Sequence, residues 1–526
     1  MWTPPIALSP EEQQIAVRTR KTRKFFVLLR ERRHELLDAA FHNTLAAPSS
    51  LEPGGQAPVE AGVLALATLV QVYGNVGDQE AVERTVMDKR WQMVWDCIDT
   101  EPPPFSQSTL CNFRMRLRQH TLDQTLLDRP VALAEQTGGF GAHPLRAALD
   151  STPLCGAGRV EDTLHLLGHA LRKAVGCVAE QQAMSTAVRM EEAGRVLVGQ
   201  SSLKAALDLD GGAPRARERA RGVVLEEVAR WHGWLAQQCL ATPGPPLQEI
   251  LDTISQMVAQ DPEPDPEGGP GGRRIKKHGA PARRIAIADQ ELRHGRQSRS
   301  TTFHGFKAPF LLDLDSTVTR AVVVCPAHAA EHEAVELRAA ELEKAPGWLQ
   351  LAIDLGSMAS PRMAQWAAQG GSIIARPWSQ VGPRFTKNDC PWDFASRQVV
   401  GPHGQTVPMV LGKDAQFPAR ACDPCPLRAP CTTAKLGHGR TLTIRAAEPF
   451  QHPLRTKLRT KRGRAALRKR TAVEQAISHQ LAHQGRRARD KGVRKHQLNG
   501  RRPAAVSNLQ VAARYDEERR LASCRS

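Results

Sequence analysis

Tyrosine and long apolar runs are scarce in this sequence of 526 residues, and its 54 acidic residues are outnumbered by 72 Lys and Arg. Only 2 tyrosines are present and aromatic residues make up 5% of the chain, whereas 40 glycines and 37 prolines predict substantial loops and linkers. No apolar run approaches the roughly 20 residues that a membrane-spanning helix needs. The first residues, M-W-T-P-P-I-A-L-S-P, lack the basic start and apolar core of a signal peptide, so we expect a cytoplasmic protein.

Positive charge is concentrated in one segment near the C-terminus. The formal net charge is +18, and residues 455–502 hold 17 Lys and Arg against two acids, Glu474 and Asp490. A basic run is often only a solvated face, but basic residues around one carboxylate on a helical segment favour a surface for a phosphate backbone. Nucleic acid is therefore the predicted partner.

Three acidic residues, far apart along the chain, form the predicted catalytic site. The apolar run Leu145–Leu149 leads into Asp150 and then Ser-Thr-Pro, which is typical of a buried strand that presents a carboxylate at its C-terminal edge. W-L-Q-L-A-I-D-L-G presents Asp354 in the same way, and Glu474 lies on a basic amphipathic helix predicted over 465–484. This combination is what a two-metal phosphoryl-transfer site requires.

Phosphoryl transfer at such a site predicts divalent metal ions as cofactors. In-line attack on a phosphodiester uses two ions about 4 Å apart. Carboxylate oxygens suit Mg²⁺ or Mn²⁺, and Mg²⁺ takes only one or two of its ligands from the protein. We expect Asp150 to bridge both ions, Asp354 to hold one ion and Glu474 to hold the other.

Ordinary structural roles are also open for these carboxylates. Asp354 precedes Leu-Gly and would equally cap a turn. Glu474 would pair with Arg470 one helical turn earlier. Asp313 and Asp315 are rival strand-end carboxylates, although Asp315 begins an Asp-Ser-Thr hairpin signature.

The alternation of strands and helices predicts an α/β fold with a mixed sheet. A closing basic helix is expected at 491–510. The predicted organisation is a helical N-terminal DNA-binding region at 1–137, a catalytic core at 138–156 and 291–386, a helical insertion at 157–290 with a disordered linker at 261–284, a cysteine-rich metal-binding insertion at 387–445, a basic helical part of the core at 446–512 and a tail at 513–526.

The most specific short motif is Cys422-x2-Cys425-x5-Cys431. Thiolates at this spacing suit Zn²⁺, whose tetrahedral site needs a fourth ligand. Cys390 is the first choice for that ligand and His438 is the second. Reduced cysteines in a proline-rich loop are one alternative, and a four-cysteine iron–sulfur site is another.

One N-terminal segment has the composition of a DNA reader. S-Q-S-T-L-C-N-F-R-M-R-L-R-Q at 106–119 places three apolar residues on one helical face, with Arg114, Arg116 and Arg118 extending away from it. A short helix, a turn and a polar helix suit a helix-turn-helix-like element. A plain helical bundle with a basic surface is the alternative.

These features together resemble bacterial insertion-sequence transposases of the DDE, RNase H-like superfamily. The matching stretches are L-D-S-T around Asp150, F-H-G-F-K-A-P at 303–309, A-H-A-A-E-H-E at 327–333, A-I-D-L-G at 352–356, C-D-P-C-P-L-R-A-P-C-T at 422–432, R-T-A-V-E ending at Glu474 and R-R-A-R-D-K-G at 486–492. The resemblance implies an RNase H-like core interrupted by insertions, with Asp150, Asp354 and Glu474 as its catalytic triad. It also implies metal-dependent cleavage at element ends, followed by transfer of the 3′-hydroxyl into target DNA.

The resemblance carries expectations about DNA and assembly as well. It implies double-stranded DNA as partner, a dimer or larger assembly and an association with the bacterial nucleoid, with DNA contacts from Lys307, Arg470, Arg486 and Arg487. Leu467 and Leu481 replace a Tyr and a Lys of related families, so Arg486 and Arg487 are expected to substitute in binding DNA ends. A catalytically inactive DNA-binding derivative and a nuclease that never joins strands are the two alternatives.

Overall fold

In a computed structural model, the chain is described at residues 2–47, 58–140, 143–192, 244–260, 262–264, 273–275, 282–298, 300–344, 348–376 and 384–524, and at 226, 228–231, 233–234, 237 and 280. Over these residues it is a mixed α/β protein in which helices surround one curled sheet, as the sequence predicts. No helix in this described part is both long and apolar enough to cross a membrane.

In the described residues before the sheet, every regular element is a helix. The helices are α1 (Pro10–Thr19), α2 (Lys24–Leu36), α3 (Ala39–Ala46), α4 (Ala61–Gly74), α5 (Asp78–Met87), α6 (Lys89–Trp95), α7 (Gln107–Gln119) and α8 (Asp123–Gly138). The apolar α4 is buried on nearly every side because its neighbours surround it. On α7, the predicted apolar face is confirmed, since Leu110, Phe113 and Leu117 are buried.

The described strands as far as residue 374 are β1 (Leu145–Cys155), β2 (Pro262–Pro264), β3 (Arg273–Ile275), β4 (Arg293–Arg296), β5 (Thr302–Asp313), β6 (Thr319–Val322), β7 (Cys325–Pro326), β8 (Trp348–Ala352) and β9 (Ser372–Ile374). The main sheet has the order β4-β5-β1-β8-β9, and β6 and β7 also pair with β5. β1, β8 and β9 are parallel to one another, whereas β5 is antiparallel to β1. The predicted hairpin is confirmed between β5 and β6, where Asp313 accepts hydrogen bonds from the Asp315 N–H and the Ser316 hydroxyl.

β1 has two neighbours of unequal length, and this inequality defines the position of Asp150. The sequence predicts a strand that ends at Asp150, but β1 continues to Cys155. Pairing with β5 extends from Ala147 to Cys155, whereas pairing with β8 stops at Ala148. The expected strand end was wrong because Pro153 is tolerated on a stretch that has lost one neighbouring strand. Asp150 thus lies inside β1, just beyond the point where β8 diverges.

The described parts of the segment between β1 and β4 are mainly helical, and the short antiparallel pair of β2 and β3 lies within the linker that the sequence predicted to be disordered. The segment contains α9 (Thr163–Gln181), α10 (Thr186–Glu192) and α11 (Pro245–Gln260). α9 and α11 pack on each other through a hydrophobic core of their own, which includes Leu167, Leu171, Ile250 and Ile254. Most of the linker predicted at 261–284 lies outside the described residues.

Two helices lie between strands of the main sheet: α12 (Glu331–Lys344) follows β7, and α13 (Pro361–Ala368) follows β8.

A small β-rich unit follows β9. β10 (Trp392–Asp393), β11 (Gln398–Val400) and β12 (Thr406–Pro408) form an antiparallel sheet, β13 (Asp414–Gln416) pairs with β14 (Thr441–Thr443), and α14 (Ala419–Cys422) and α15 (Arg428–Cys431) are single turns. This unit has its own core, built around Val399, Phe417 and Ile444. Its Lys387 donates to the fully buried carboxylate of Glu448 at 2.6 Å, which ties the unit to the helix that follows.

Four helices end the chain: α16 (Glu448–Arg459), α17 (Lys461–Arg468), α18 (Thr471–Gln484) and α19 (Val493–Ser523). The helix predicted over 465–484 is in fact interrupted, and α18 starts after Arg470. The closing helix is longer than predicted, and its middle is buried against α8, α4, α2 and β6. Asn508 exchanges two hydrogen bonds with the backbone of Thr319, which fixes α19 along β6.

The contact that joins α8 to α19 gives a stability prediction. The Asp123 carboxylate is fully buried and lies 2.8 Å from Arg494 Nη2 and 2.7 Å from Arg501 Nη1. Because Asp123→Ala leaves both guanidinium groups without this partner, we expect the free energy of unfolding to fall by about 3 kcal/mol. Urea unfolding measures the change, and Asp128→Ala on the exposed face of α8 should cost less than about 0.5 kcal/mol. Equal effects of the two substitutions would contradict the role of Asp123.

Candidate active site

Asp150 is the most enclosed of the three predicted catalytic carboxylates. Only 17% of its side chain is exposed. Its Oδ1 accepts a hydrogen bond from the N–H of Ser151 at 2.9 Å. Ala148 and Leu149 before it are completely buried in the sheet. The β1–β5 ladder therefore fixes the backbone that carries this carboxylate.

Asp354 lies two residues after β8. Its Oδ1 accepts a hydrogen bond from the N–H of Ser357 at 2.9 Å, and a short 3-10 helix, Ser357–Ala359, begins there. The turn-capping role that the sequence leaves open is thus present. Within the described residues no donor bonds to Oδ2 of Asp354, so one carboxylate oxygen closes the turn while the other is available to a ligand.

Glu474 lies in the first turn of α18, where the helix dipole favours a carboxylate. This helix packs against β1 and β5. Val473, Ile477 and Gln480 are its buried side chains, whereas Glu474 exposes 54% of its side chain. The helix therefore holds the carboxylate beside the sheet, in contact with solvent.

One guanidinium connects two of these carboxylates. Arg470 Nη1 lies 3.1 Å from Asp150 Oδ2, and Arg470 Nη2 lies 3.2 Å from Glu474 Oε1. The sequence suggests the second contact as an ordinary helical ion pair, but not the first. Residues from β1 and α18 thus converge on a single positive group.

The pKa of Asp150 also indicates that the three carboxylates lie near one another. Burial raises this pKa above its ordinary value, and Arg470 opposes the rise by stabilising the ionised form. The negative charges of Asp354 and Glu474 raise it further. All three carboxylates therefore act on one another electrostatically, and the ionised form of Asp150 gains from any additional cation.

The donor atoms of this site are the carboxylate oxygens of Asp150, Asp354 and Glu474. Carboxylate oxygens are the ligands that Mg²⁺ and Mn²⁺ prefer, and an electrostatic demand for positive charge is present at Asp150. As the side chains stand, no three Asp, Glu, His or Cys residues in the described part of the chain form a group able to hold one ion. Arg470 stands between two of the donors, so metal binding would require its side chain to move.

The cysteines lie at the surface of the small β-rich unit. Cys422, Cys425 and Cys431 line one small pocket, together with His403. Cys390 is buried behind them, where burial raises the pKa of its thiol and the neighbouring Cys431 contributes to that rise. Cys431 Sγ is 2.9 Å from Arg440 Nη1. The sequence does not predict His403 as a ligand, because two β-strands separate it from the cysteine motif.

Comparison with known proteins bears on this C-terminal part. A family model described as transposase DDE domain matches residues 402–513. No curated protein and no solved structure gave a match. The matched stretch contains Glu474 and the three-cysteine motif, while Asp150 and Asp354 precede it in the chain.

The residues expected to bind DNA have different surroundings in the structure. Arg118 and Arg487 line a cavity of about 310 Å³ between α7 and the C-terminal helices, together with Arg489 and Lys495. Among the described residues these four cations have no carboxylate partner. Arg486 is exposed next to the cavity, and its carbonyl accepts a hydrogen bond from the N–H of Cys155 at the end of β1.

Three other residues that were expected to contact DNA are partly buried against the protein itself. Arg114 forms a two-pronged ion pair with Asp78. Lys307 lies 3.1 Å from Glu331 Oε1 and donates to the carbonyl of Ala329 at 2.8 Å. Arg116 is half-buried on α7. The exposed positive charge described here is therefore carried mainly by the cavity and by α17.

Glu331 is a residue of this site that the sequence analysis did not single out. Its Oε2 accepts a hydrogen bond from the Ser151 hydroxyl at 2.9 Å, directly beside Asp150. The stretch A-H-A-A-E-H-E was noticed only as part of the family resemblance. An acidic residue at the start of a helix is ordinarily a dipole or capping residue, so its sequence context gave no stronger signal.

Arg470 gives a prediction about pH. Because its guanidinium stabilises ionised Asp150, Arg470→Gln should raise the pKa of Asp150 further. We expect the acid limb of the Mg²⁺-dependent DNA cleavage that is proposed below to move to higher pH, since Asp150 must lose its proton to bind a cation. The measurement is the initial cleavage rate as a function of pH, with Arg18→Gln on the exposed face of α1 as the control. An acid limb that moves to lower pH, or does not move, would exclude this role.

Proposed function

We propose that this chain is a DNA transposase that cleaves the ends of a mobile element and joins them to target DNA. Asp150, Asp354 and Glu474 are its proposed catalytic residues, carried by an RNase H-like core. Support for that core comes from the central position of β1, its antiparallel neighbour β5 and its parallel neighbour β8. Support for the activity class comes from the transposase DDE domain match.

The observation that carries the proposal is the meeting of β1 and α18 at Arg470. Asp150 and Glu474 both lie about one ion-pair distance from this guanidinium, at 3.1 and 3.2 Å. The effect of Asp354 on the pKa of Asp150 adds the third carboxylate to the same neighbourhood. Burying like charges together is unfavourable unless a cation compensates them. A cation-binding role explains why the fold brings them together.

The roles of the residues follow from their positions. Asp150, Asp354 and Glu474 would hold the divalent ions, with Asp150 as the shared ligand. Such ions activate an attacking water or 3′-hydroxyl and stabilise the leaving oxygen. Arg470 holds the carboxylates in place before metal binding, and once released it is placed to contact a DNA phosphate. The rigid β1 backbone keeps Asp150 fixed during these changes.

DNA is proposed to lie along the basic surface beside Glu474. α17 exposes Lys461, Arg462, Arg464 and Arg468, and the cavity contributes Arg118, Arg487, Arg489 and Lys495. These groups neutralise backbone phosphates without reading sequence. Synapsis of two element ends implies that the active form is a dimer or larger assembly on DNA.

Substitution of Asp150 tests the catalytic proposal. We expect Asp150→Ala to lower Mg²⁺-dependent cleavage of a labelled element end by roughly 10³-fold or more, because the shared metal ligand is lost. DNA binding, measured in EDTA by fluorescence anisotropy, should be retained. Glu474→Ala should behave in the same way, and Asp315→Asn, which changes a rival strand-end carboxylate, should leave cleavage intact.

The products of the reaction separate this proposal from its two rivals. Joined products on a target plasmid would support transposition, whereas cleavage without joining would indicate a nuclease that only hydrolyses. Metal-independent DNA binding with no cleavage by the native protein would indicate an inactive derivative. Full activity of Asp150→Ala would overturn the assignment of the site itself.

We also propose that the cysteine motif holds a structural Zn²⁺ with Cys422, Cys425 and Cys431 as ligands. Cys390, His403 and His438 are the candidates for the fourth position. Cys390 is supported by its proximity to Cys431, and His403 by its place in the same small pocket. Thiolate ligands at this spacing suit zinc in kind, although the cysteines would have to draw together.

Metal content tests the cysteine proposal. The purified chain should contain about one zinc per molecule by mass spectrometry, because thiolate sites retain zinc through purification. Cys425→Ser should lose it, whereas Cys111→Ser on α7 should not. Three further variants, Cys390→Ala, His403→Ala and His438→Ala, test the fourth position. The variant that loses zinc identifies the fourth ligand. A native chain that contains no zinc would contradict the site.

A further inference from the structure

Glu331, at the start of α12 (Glu331–Lys344), is held from two directions. Its Oε2 accepts a hydrogen bond from the hydroxyl of Ser151 at 2.9 Å, and its Oε1 lies 3.1 Å from Lys307 Nζ. Lys307 also donates to the carbonyl of Ala329 at 2.8 Å. The Glu331 side chain is 23% exposed and Lys307 is 12% exposed. The carboxylate is therefore anchored within the protein.

The same side chain packs against the turn that follows Asp354. A Cβ added to Gly356 would lie 2.8 Å from both Cβ and Cγ of Glu331, and 3.5 Å from Asp354 Oδ2. Gly356 has an ordinary helical backbone, with φ of −68°. Glycine is therefore needed at position 356 for space and not for conformation. Its missing side chain allows Glu331 to approach the Asp354 turn.

This contact lies where the sheet no longer connects the two aspartates. The β1–β8 ladder ends at Ala148 and Ala352, before Asp150 and Asp354 are reached. Beyond that point the two segments diverge, and each aspartate would move with its own segment. Glu331 spans the divergence because it bonds to Ser151 on one side and packs on Gly356 on the other.

We propose that Glu331 is a positioning residue that sets the separation of Asp150 and Asp354 for metal binding. The inference rests on the proposed function, since it concerns the same site. Lys307 neutralises Glu331, so the extra carboxylate does not add to the repulsion among the three metal-binding ones. The pair acts through Ser151 and Gly356, in the way that outer residues of metal sites orient the ligands.

Metal affinity is the direct test, because it does not depend on catalysis. Mn²⁺ binding to the full chain, measured by calorimetry without DNA, should weaken about tenfold in Glu331→Ala. Glu331→Gln keeps an acceptor for Ser151 but loses the ion pair with Lys307, so its loss should be smaller. Glu333→Ala, two residues further along the exposed start of α12, should bind Mn²⁺ as the native chain does.

Coupling to Gly356 tests the packing part of the proposal. Gly356→Ala should also weaken Mn²⁺ binding, because the new methyl group meets Glu331. In the Glu331→Ala background the same change should cost less, since the Cγ that it meets is gone. Fully additive effects of the two substitutions would show that position 356 acts independently of Glu331, and would overturn this part.

Several outcomes distinguish the inference from the proposed function. Native Mn²⁺ affinity in Glu331→Ala would overturn the positioning role, even if Asp150→Ala abolishes cleavage. A lowered melting temperature together with lost DNA binding in both Glu331 variants would reduce the residue to a structural role. If Mn²⁺ binding weakens as expected while the native chain cleaves no DNA, the positioning role stands and the transposase activity fails.

Discussion

The unequal pairing of β1 is the constraint on which the candidate site depends. β5 follows β1 over its whole length beyond Ala147, whereas β8 leaves it after Ala148. A strand held on one side keeps its backbone geometry, and the side that has lost its neighbour provides room for ligands. Asp150 lies at this transition, so its backbone is rigid while its carboxylate remains accessible to groups from other parts of the chain.

The negative charge of Asp150 then determines which elements can pack near it. A half-buried carboxylate beside two others is unfavourable unless positive charge compensates it. Arg470 supplies that charge from the residue immediately before α18, and so brings Glu474 to the same place. Glu331 is different, because Lys307 compensates it locally. The site therefore contains one carboxylate with its own cation, two that share Arg470, and Asp354, whose negative charge acts on Asp150.

The sequence predicted the elements of the site better than their connections. Strand β8, the β5–β6 hairpin and a helix around Glu474 follow from apolar runs and turn residues, which are local signals. The extension of β1 through Pro153 could not be predicted, because it depends on β8 diverging. The contact of Arg470 with Asp150 joins residues far apart in the chain. Glu331 was missed for the same reason, since its partners Ser151 and Lys307 come from two other strands.

The amount of exposed positive charge is where the sequence expectation and the structure differ most clearly. The basic segment 455–502 suggests one long DNA-binding surface, but part of its charge is neutralised inside the protein. Arg455 pairs with buried Glu448, and Arg494 and Arg501 pair with buried Asp123. Arg502 is enclosed as well, and burial lowers its pKa to about 9.

Much of the remaining positive charge of the segment forms two exposed groups, one before α18 in the chain and one after it. One group is on α17, and the other lines the cavity at Arg487, Arg489 and Lys495. Salt-dependent attraction of a phosphate backbone depends on cations that are not already neutralised, so the internally paired residues contribute little to it. Because Glu474 projects from the first turn of the helix between them, a backbone that follows both groups would pass the carboxylate site. The internal ion pairs thus leave less free positive charge on this segment than the sequence alone suggests.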